Sequence, residues 1–332
     1  MLLPQSIHIF EADAVAYIQE ARQYASGNFT IALNGCWSPL HSWLLIPFIK
    51  YGVDPFLACR IINGVSGLIC IPLFYRITSF FISSSAIRNI LVVFSSLLFI
   101  SMAFHRTGAD TLQLAILIIY INLIYDFESS RKNRFLILAT LAGAMAYYAK
   151  SYNLYFFILH ITIVIFLVSK NLTFKSFLSE WKRMVIVFCS LLLFIGPYVA
   201  MISVKYHKFT VSTAGPITMN KSLEPSFTDG PKFFVPPREA NALAIADDPT
   251  FFQKSYITPL TSKHYLAKEV KVIIINILEY FKLLNQVSIF SIGILSVFGY
   301  LIFSEKKELN RKNLLIIITT LVYPIGYMMI AV

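Results

Sequence analysis

Eight stretches of this chain are apolar over lengths that match a lipid bilayer: 56-81, 86-104, 110-127, 135-149, 153-169, 184-203, 286-304 and 313-332. A hydrocarbon layer of ~30 Å needs roughly 17 to 25 such residues in a helix, and the fourth stretch meets that only marginally. Backbone groups inside lipid must be satisfied within the segment, so each stretch is expected to be a helix. The fold class that follows is all-α: a polytopic transmembrane helical bundle of about eight spanning helices, with amphipathic juxtamembrane helices and one long outer loop. Composition agrees, with 57% hydrophobic and 14% charged residues and a mean hydropathy of +0.68. A soluble domain is nearer half apolar and a quarter charged.

The net charge of +11 could indicate a nucleic-acid partner. Its distribution argues against nucleic acid, because Lys and Arg sit in short loops between apolar blocks. One set of alternate loops holds Arg76, Arg88, Arg131, Lys132, Arg134, Lys170, Lys175, Lys182, Arg183, Lys306, Lys307, Arg311 and Lys312, whereas the opposite short loops hold Arg106 and Lys150. Positive residues favour the cytoplasmic side. The expected location is therefore the cytoplasmic (inner) membrane, with the N-terminal acidic segment, His105 to Asp110, Lys150 to Asn153 and the loop 204-268 facing outward.

One membrane domain over 1-332 is expected, in four parts. Residues 1-52 form an outer amphipathic or re-entrant segment, 53-203 six spanning helices, 204-284 an outer loop and amphipathic helix, and 285-332 two spanning helices. Within the first part, 10-27 mixes apolar and charged residues around the helical wheel and stops at Gly27, as a surface-lying helix would. The apolar run in 37-52 is too short to span and reads as interfacial or re-entrant. With the N-terminus outside, no helix precedes the amphipathic segment, and the last apolar block runs to Val332. The expectation is that a first spanning helix, and a C-terminal part, belong to the natural protein.

The outward-facing polar residues near helix ends are the candidates for chemistry. The acids are Glu11, Asp13 and Asp110; the bases are His41, His105, Arg106, Lys150, Lys205, His207 and Lys208. Asp13 or Glu11 could serve as a general base for an acceptor hydroxyl. Either could equally be a solvated acid favoured by the positive end of its helix. Lys150 and Lys205 could flank a lipid-linked phosphate, or simply anchor helix ends at the headgroups. Asp110 reads either as a helix N-cap or as a group facing Asp13. His160, in the middle of an apolar block, reads as a hydrogen-bonded structural histidine.

Several signals are missing. There is no Walker loop, HExxH or GxSxG, and Cys36, Cys59, Cys70 and Cys189 lack metal-ligand spacing. The NLT at 171-173 fits a glycosylation pattern but falls in a cytoplasmic loop.

The stretch EADAVAYIQEARQYASGNFTIALNGCWSPLHSWLLIPFIKYGVDPFLACRIINGVSG resembles the first outer loop and following helix of the GT-C glycosyltransferases. It is most similar to the bacterial branch related to protein O-mannosyltransferases and the lipid A aminoarabinose transferase. The residues that carry this likeness are Asp13, Tyr17, Ala21, Gly27 and Pro39-Leu40. AYYAKSYNLYFF and GPYVAMISVKYHKFTVSTAG also look like segments of such proteins, and the resemblance runs over residues 10-220. It implies a multi-pass enzyme that moves a sugar from a polyprenyl-phosphate donor to a hydroxyl on a lipid, polymer or protein acceptor, at the outer face, with inversion. The catalytic candidates on this resemblance are Asp13, Glu11 and Asp110. Lys150, Lys205 and Arg106 would lie near the donor phosphate, and Tyr17, His41 and His207 would contact acceptor or sugar. Glu-Ala-Asp stands where some relatives carry adjacent acids, so Glu11 and Asp13 both remain candidates for the base. Membrane lipids are the surrounding partner. No cofactor is called for, no metal ligands are assigned, and dependence on a divalent metal stays open. The rival class is a non-enzymatic transporter or flippase of a lipid-linked saccharide. Transporters more often carry midplane charges, broken helices and internal repeats, which are scarce here.

Overall fold

In the computed structural model, residues 11–167, 174–223, 248–252, 257–287 and 311–328 are described. All the regular structure among them is helical. In chain order the helices are α1 (Ala12–Ala25), α2 (Phe29–Ala32), α3 (Leu40–Lys50), α4 (Pro55–Phe81), α5 (Ser85–His105), α6 (Asp110–Ser130) and α7 (Asn133–Ala149). They continue with α8 (Asn153–Leu167), α9 (Phe174–Lys205), α10 (Ala214–Leu223), α11 (Lys263–Val287) and α12 (Arg311–Met328).

The starts and stops follow local chemistry. Pro55 opens α4 behind Asp54, whose carboxylate accepts from the Leu57 amide at 2.8 Å. Ser84 caps α5. α1 ends where Gly27 takes φ +83° and the Asn28 amide reaches back to the Gln23 carbonyl at 2.9 Å, a left-handed closure that glycine adopts without strain.

Among the described residues, four helices are long and apolar enough to cross a membrane: Pro55–Phe81, Ser85–His105, Asp110–Ser130 and Phe177–Lys205. That marks a membrane protein; of the eight expected spans, four are met at this length and hydropathy among the described residues. α7 is 17 residues long and at 1.5 Å per residue rises only ~25 Å, while α8 is described from Asn153 as far as Leu167. Lys132 and Lys150 bound the apolar block of α7, and α8 starts at Asn153, the start expected for its apolar block. The block 286-304 falls almost wholly outside the described residues, as does the NLT at 171-173. The block 313-332 is represented by α12.

The long helices run up and down. α6 is central, with 56% of its apolar window buried, whereas α5 has 6% buried and meets its surroundings over almost its whole length. Tyr120, Tyr147, Phe157 and Ile161 anchor the main core between α6, α7, α8 and α9. Small residues set the closest approaches. A Cβ on Gly143 would overlap the ring of Phe157, and one on Gly67 would sit 3.1 Å from Ala103 and from the Phe99 carbonyl. His160 is a structural histidine, as its position implied: its ring nitrogens meet the Tyr120 hydroxyl at 2.8 Å and the Thr319 hydroxyl at 2.9 Å, joining α6, α8 and α12.

One end of the bundle holds the Arg76–Asp126 and Arg183–Glu180 pairs, with the Arg131 and Arg183 guanidiniums over the ring of Phe127. The other end gathers the α5–α6 loop, the α7–α8 turn, the end of α9 and the segment α1–α3. This second end carries nearly all the candidate residues.

Candidate functional site at one rim of the bundle

α1 packs chiefly on α3, and its sequence explains which face turns inward. Asp13, Tyr17, Glu20 and Tyr24 fall at helical spacing i, i+4, i+7, i+11 and form one stripe. Asp13 is exposed in the first turn, Tyr17 and Glu20 are buried, and Tyr24 is half-buried. The expectation of a simple surface helix is corrected here: Glu20, an acid, lies inside with 5% exposure.

Glu11 precedes this helix and is fully engaged. Its carboxylate accepts from the Thr107 amide at 3.1 Å and the Gly108 amide at 2.8 Å and pairs with Arg106, while its own amide donates to the Thr107 hydroxyl at 3.0 Å. The hydrogen bond from Arg106 to this carboxylate holds the guanidinium still more firmly charged than usual. Glu11 therefore clamps α1 to the α5–α6 loop. With its carboxylate committed to this clamp, Glu11 is the structural one of the two acids in Glu-Ala-Asp, and Asp13 is the exposed one.

Asp110 is not an N-cap. Ala109 holds that position, and the Asp110 carboxylate is ion-paired with Lys150, which terminates α7. Both side chains keep roughly a quarter to a third of their surface, at 25% for Lys150 and 30% for Asp110. The two residues, 40 apart in sequence, were both singled out by their positions. Their pairing was not.

Lys205 ends α9 at the same rim and is deeply committed. Its ammonium lies 2.9 Å from Asp248, donates to the Leu33 carbonyl, and sits over the rings of Tyr206 at 5.5 Å and Phe251 at 5.4 Å. Asp248, fully buried, also accepts from the Tyr206 hydroxyl at 2.8 Å and the Thr250 amide at 3.2 Å. This is a fastening between the loop after α2, the end of α9 and the 248–252 segment, so Lys205 is less suited to greeting a phosphate than Lys150. His207 is exposed and takes φ +53° as α9 stops, and the Lys208 amide closes the turn on the Ser203 carbonyl at 3.1 Å. It acts as a helix terminator. His105 bonds its own turn, with Nδ1 2.8 Å from the Ser101 carbonyl.

The two lysine ends are tied together. The Ser212 hydroxyl donates to the Gly35 carbonyl at 3.0 Å and meets the Ser151 hydroxyl at 2.8 Å, the Gly35 amide donates to Tyr206 at 2.9 Å, and the Thr213 amide returns to Gly35 at 2.7 Å.

His41 and Ser42 of α3 lie against the stripe of α1, and both are fully buried. The Ser42 hydroxyl donates to Glu20 Oε2 at 2.5 Å, leaving Oε1 without a partner. The His41 ring stands edge-on to Tyr17 at 5.4 Å, and neither of its nitrogens makes a hydrogen bond of good geometry. Burial pulls the imidazole down to about 4, against the opposing influence of the Thr107 backbone, Asp110 and Glu11. Burial pushes the Glu20 carboxyl well above the carboxylate range, although Ser42 and Lys205 oppose the rise. The His41 imidazole is thus neutral near pH 7, and burial favours the protonated form of Glu20. Tyr17 is held protonated by burial first, and then by Asp13, Glu20 and Asp110.

Among the described residues no group of three or more His, Cys, Asp or Glu side chains is placed to hold a metal ion. Cys59 and Cys70 are buried, Cys36 is half-buried and Cys189 is exposed. Sequence reasoning missed Glu20 and Asp248. The stripe spacing from Asp13 would have found the first; nothing local marks the second. Comparison with protein-family models, with curated proteins and with solved structures finds no match.

Proposed function

We propose that this chain is a membrane glycosyltransferase of the GT-C type, a bundle of about eight spans in the cytoplasmic membrane, acting on its outer face. It moves a sugar from a polyprenyl-phosphate donor to a hydroxyl acceptor. The observation that supports the reading is the meeting, at one rim, of an exposed carboxylate on a helix lying across the bundle end and a half-exposed Lys–Asp pair at the end of α7.

In this reading Asp13 takes the proton of the acceptor hydroxyl as the oxygen attacks the anomeric carbon from the face opposite the phosphate. The C–O bond to the phosphate breaks with its electron pair, and the developing charge is met by Lys150 and Arg106. The donor is already activated, so no nucleotide-binding loop is required. Asp110 holds the Lys150 ammonium in place, and Glu11 does the same for Arg106.

The test uses membranes containing the protein, a polyprenyl phosphate carrying a radiolabelled sugar, and cell extract as acceptor. Asp13→Asn at equal protein level is expected to lower transfer by about 10²–10⁴-fold, the usual contribution of a positioned base. Transfer at the wild-type rate would remove Asp13 from the mechanism and, with it, this proposal.

A further inference from the structure

The basic end of the bundle gathers three guanidiniums around one turn of α6. Arg76 of α4 meets Asp126 at 2.5 Å, and the Arg131 and Arg183 guanidiniums lie 5.4 and 5.6 Å from the centre of the Phe127 ring. They arrive from α4, from the residue that closes α6 and from α9. Like charges drawn together need anions nearby, and Asp126 and Glu180 answer Arg76 and Arg183 at 2.5 and 2.6 Å. Lys132, Arg134 and Lys182 border the cluster against one more acid, Glu128, so cations stay in excess among the described residues there. At the opposite rim Arg106, Lys150 and Lys205 each have an acid. We infer that the basic end holds the phosphate of an anionic phospholipid headgroup, gripped between Arg131 and Arg183. The inference stands apart from the glycosyl-transfer reading, whose site lies at the other end.

The choice of residue type points to phosphate. A guanidinium lying over a ring spends its flat face on the aromatic, while its N–H groups lie in its own plane, where a phosphate accepts two at once. Arg131 closes α6 at φ +56°, its amide donating to the Phe127 carbonyl at 2.8 Å. Glycine takes that conformation freely and an arginine takes it at a cost, so its side chain there calls for a use. Arg76 is exposed and Arg131 and Arg183 are half-buried, so a headgroup reaches them from outside without opening the core. The surroundings point to a lipid as the source of the phosphate. Phe177, Leu178 and Trp181 are exposed on the same turns of α9 that carry Glu180 and Arg183, at 51%, 46% and 55%. Exposed aromatic rings at the end of an apolar helix mark the headgroup level of a bilayer. Clustered basic side chains at that level attract anionic lipids, whereas a soluble phosphate has no use for an apolar border.

The test uses the full chain in neutral detergent, with lipid retained per chain counted by native mass spectrometry. Dioleoylphosphatidylglycerol is expected to be retained at about a tenfold or lower mole fraction than dioleoylphosphatidylcholine. Arg131→Gly removes one guanidinium and also eases the backbone. It should melt no lower than wild type and weaken phosphatidylglycerol retention by about fivefold. Arg183→Gln is made together with Glu180→Gln, so that no buried carboxylate is left alone, and should show a similar loss. Arg134, whose guanidinium lies over Phe135 at 4.7 Å outside the cluster, is the charge-matched control, and Arg134→Gln should stay within about twofold of wild type. Should the paired variant fail to fold, Arg131→Gly against Arg134→Gln decides alone. Equal retention of the two lipids, or an equal loss in Arg134→Gln and Arg131→Gly, overturns the site. Displacement of phosphatidylglycerol by glycerol 3-phosphate at matched concentration and ionic strength would make the ligand a soluble phosphate and overturn the lipid.

Discussion

Glu20 and His41 face each other's helix, and burial favours the neutral form of each, with opposite consequences for the pH dependence of stability. The Glu20 carboxyl is raised in the folded chain above its ordinary value of 4.5. Its contribution is therefore complete below that value and is lost as pH climbs through the folded-state value. The His41 imidazole is lowered from 6.5 to about 4, so its contribution is complete above 6.5 and is lost as pH falls towards 4. Thermal melts of the detergent-solubilised protein across pH 4 to 9 should show both declines. Glu20→Gln should flatten the alkaline decline alone and raise the midpoint near pH 8. An alkaline slope unchanged by that substitution would mean that Glu20 is already charged in the folded protein. Glu20 was passed over in the sequence for a physical reason. An acid on an amphipathic helix is ordinarily solvated, and only the partner helix, whose Ser42 and His41 cover it, turns the stripe inward.

At the scale of elements, the fastening at the end of α9 should behave as a buried ion pair. Lys205 and Asp248 keep 13% and 0% of their side-chain surface. Removing one partner strands a charge in a low-dielectric setting, at a cost of roughly 3–5 kcal/mol. Lys205→Met alone should sharply lower the melting temperature, whereas Lys205→Met with Asp248→Leu should recover much of the loss. Equal melting temperatures for single and double variants would show that the charges are solvated. The helices themselves were readable from apolar length, from the Asp54-Pro55 and Ser84 starts, and from Gly27 as a stop. What could not be read was depth. α7 looked like a span because its apolar block approaches the needed length, but Lys132 and Lys150 bound it at 17 helical residues. The pairings Glu11–Arg106 and Asp110–Lys150 join positions 95 and 40 residues apart, and no local pattern encodes such a distance.

For the whole molecule, the up-and-down order of α4 to α9 puts the α5–α6 loop and the α7–α8 turn at one end and Arg131 at the other. Single cysteines at 108, 151 and 131, in a background lacking the four native ones, test this in intact cells with a membrane-impermeant maleimide. Positions 108 and 151 should be modified together and 131 only after permeabilisation. Modification of all three from one side would refute the arrangement. The sidedness expected in this test comes from the bias of Lys and Arg between alternate loops, which depends on where charges fall between blocks and not on how the blocks pack.

The cations at the rim come with their own acids attached: Arg106 with Glu11, Lys150 with Asp110, Lys205 with Asp248. An anionic guest reaching this place meets a surface whose ledger of charge is already even. It enters by exchange, drawing a resident ammonium or guanidinium towards itself and loosening the carboxylate left behind. If the proposed lipid-phosphate donor binds here, its hold would be set by competition with tenants of the protein's own making.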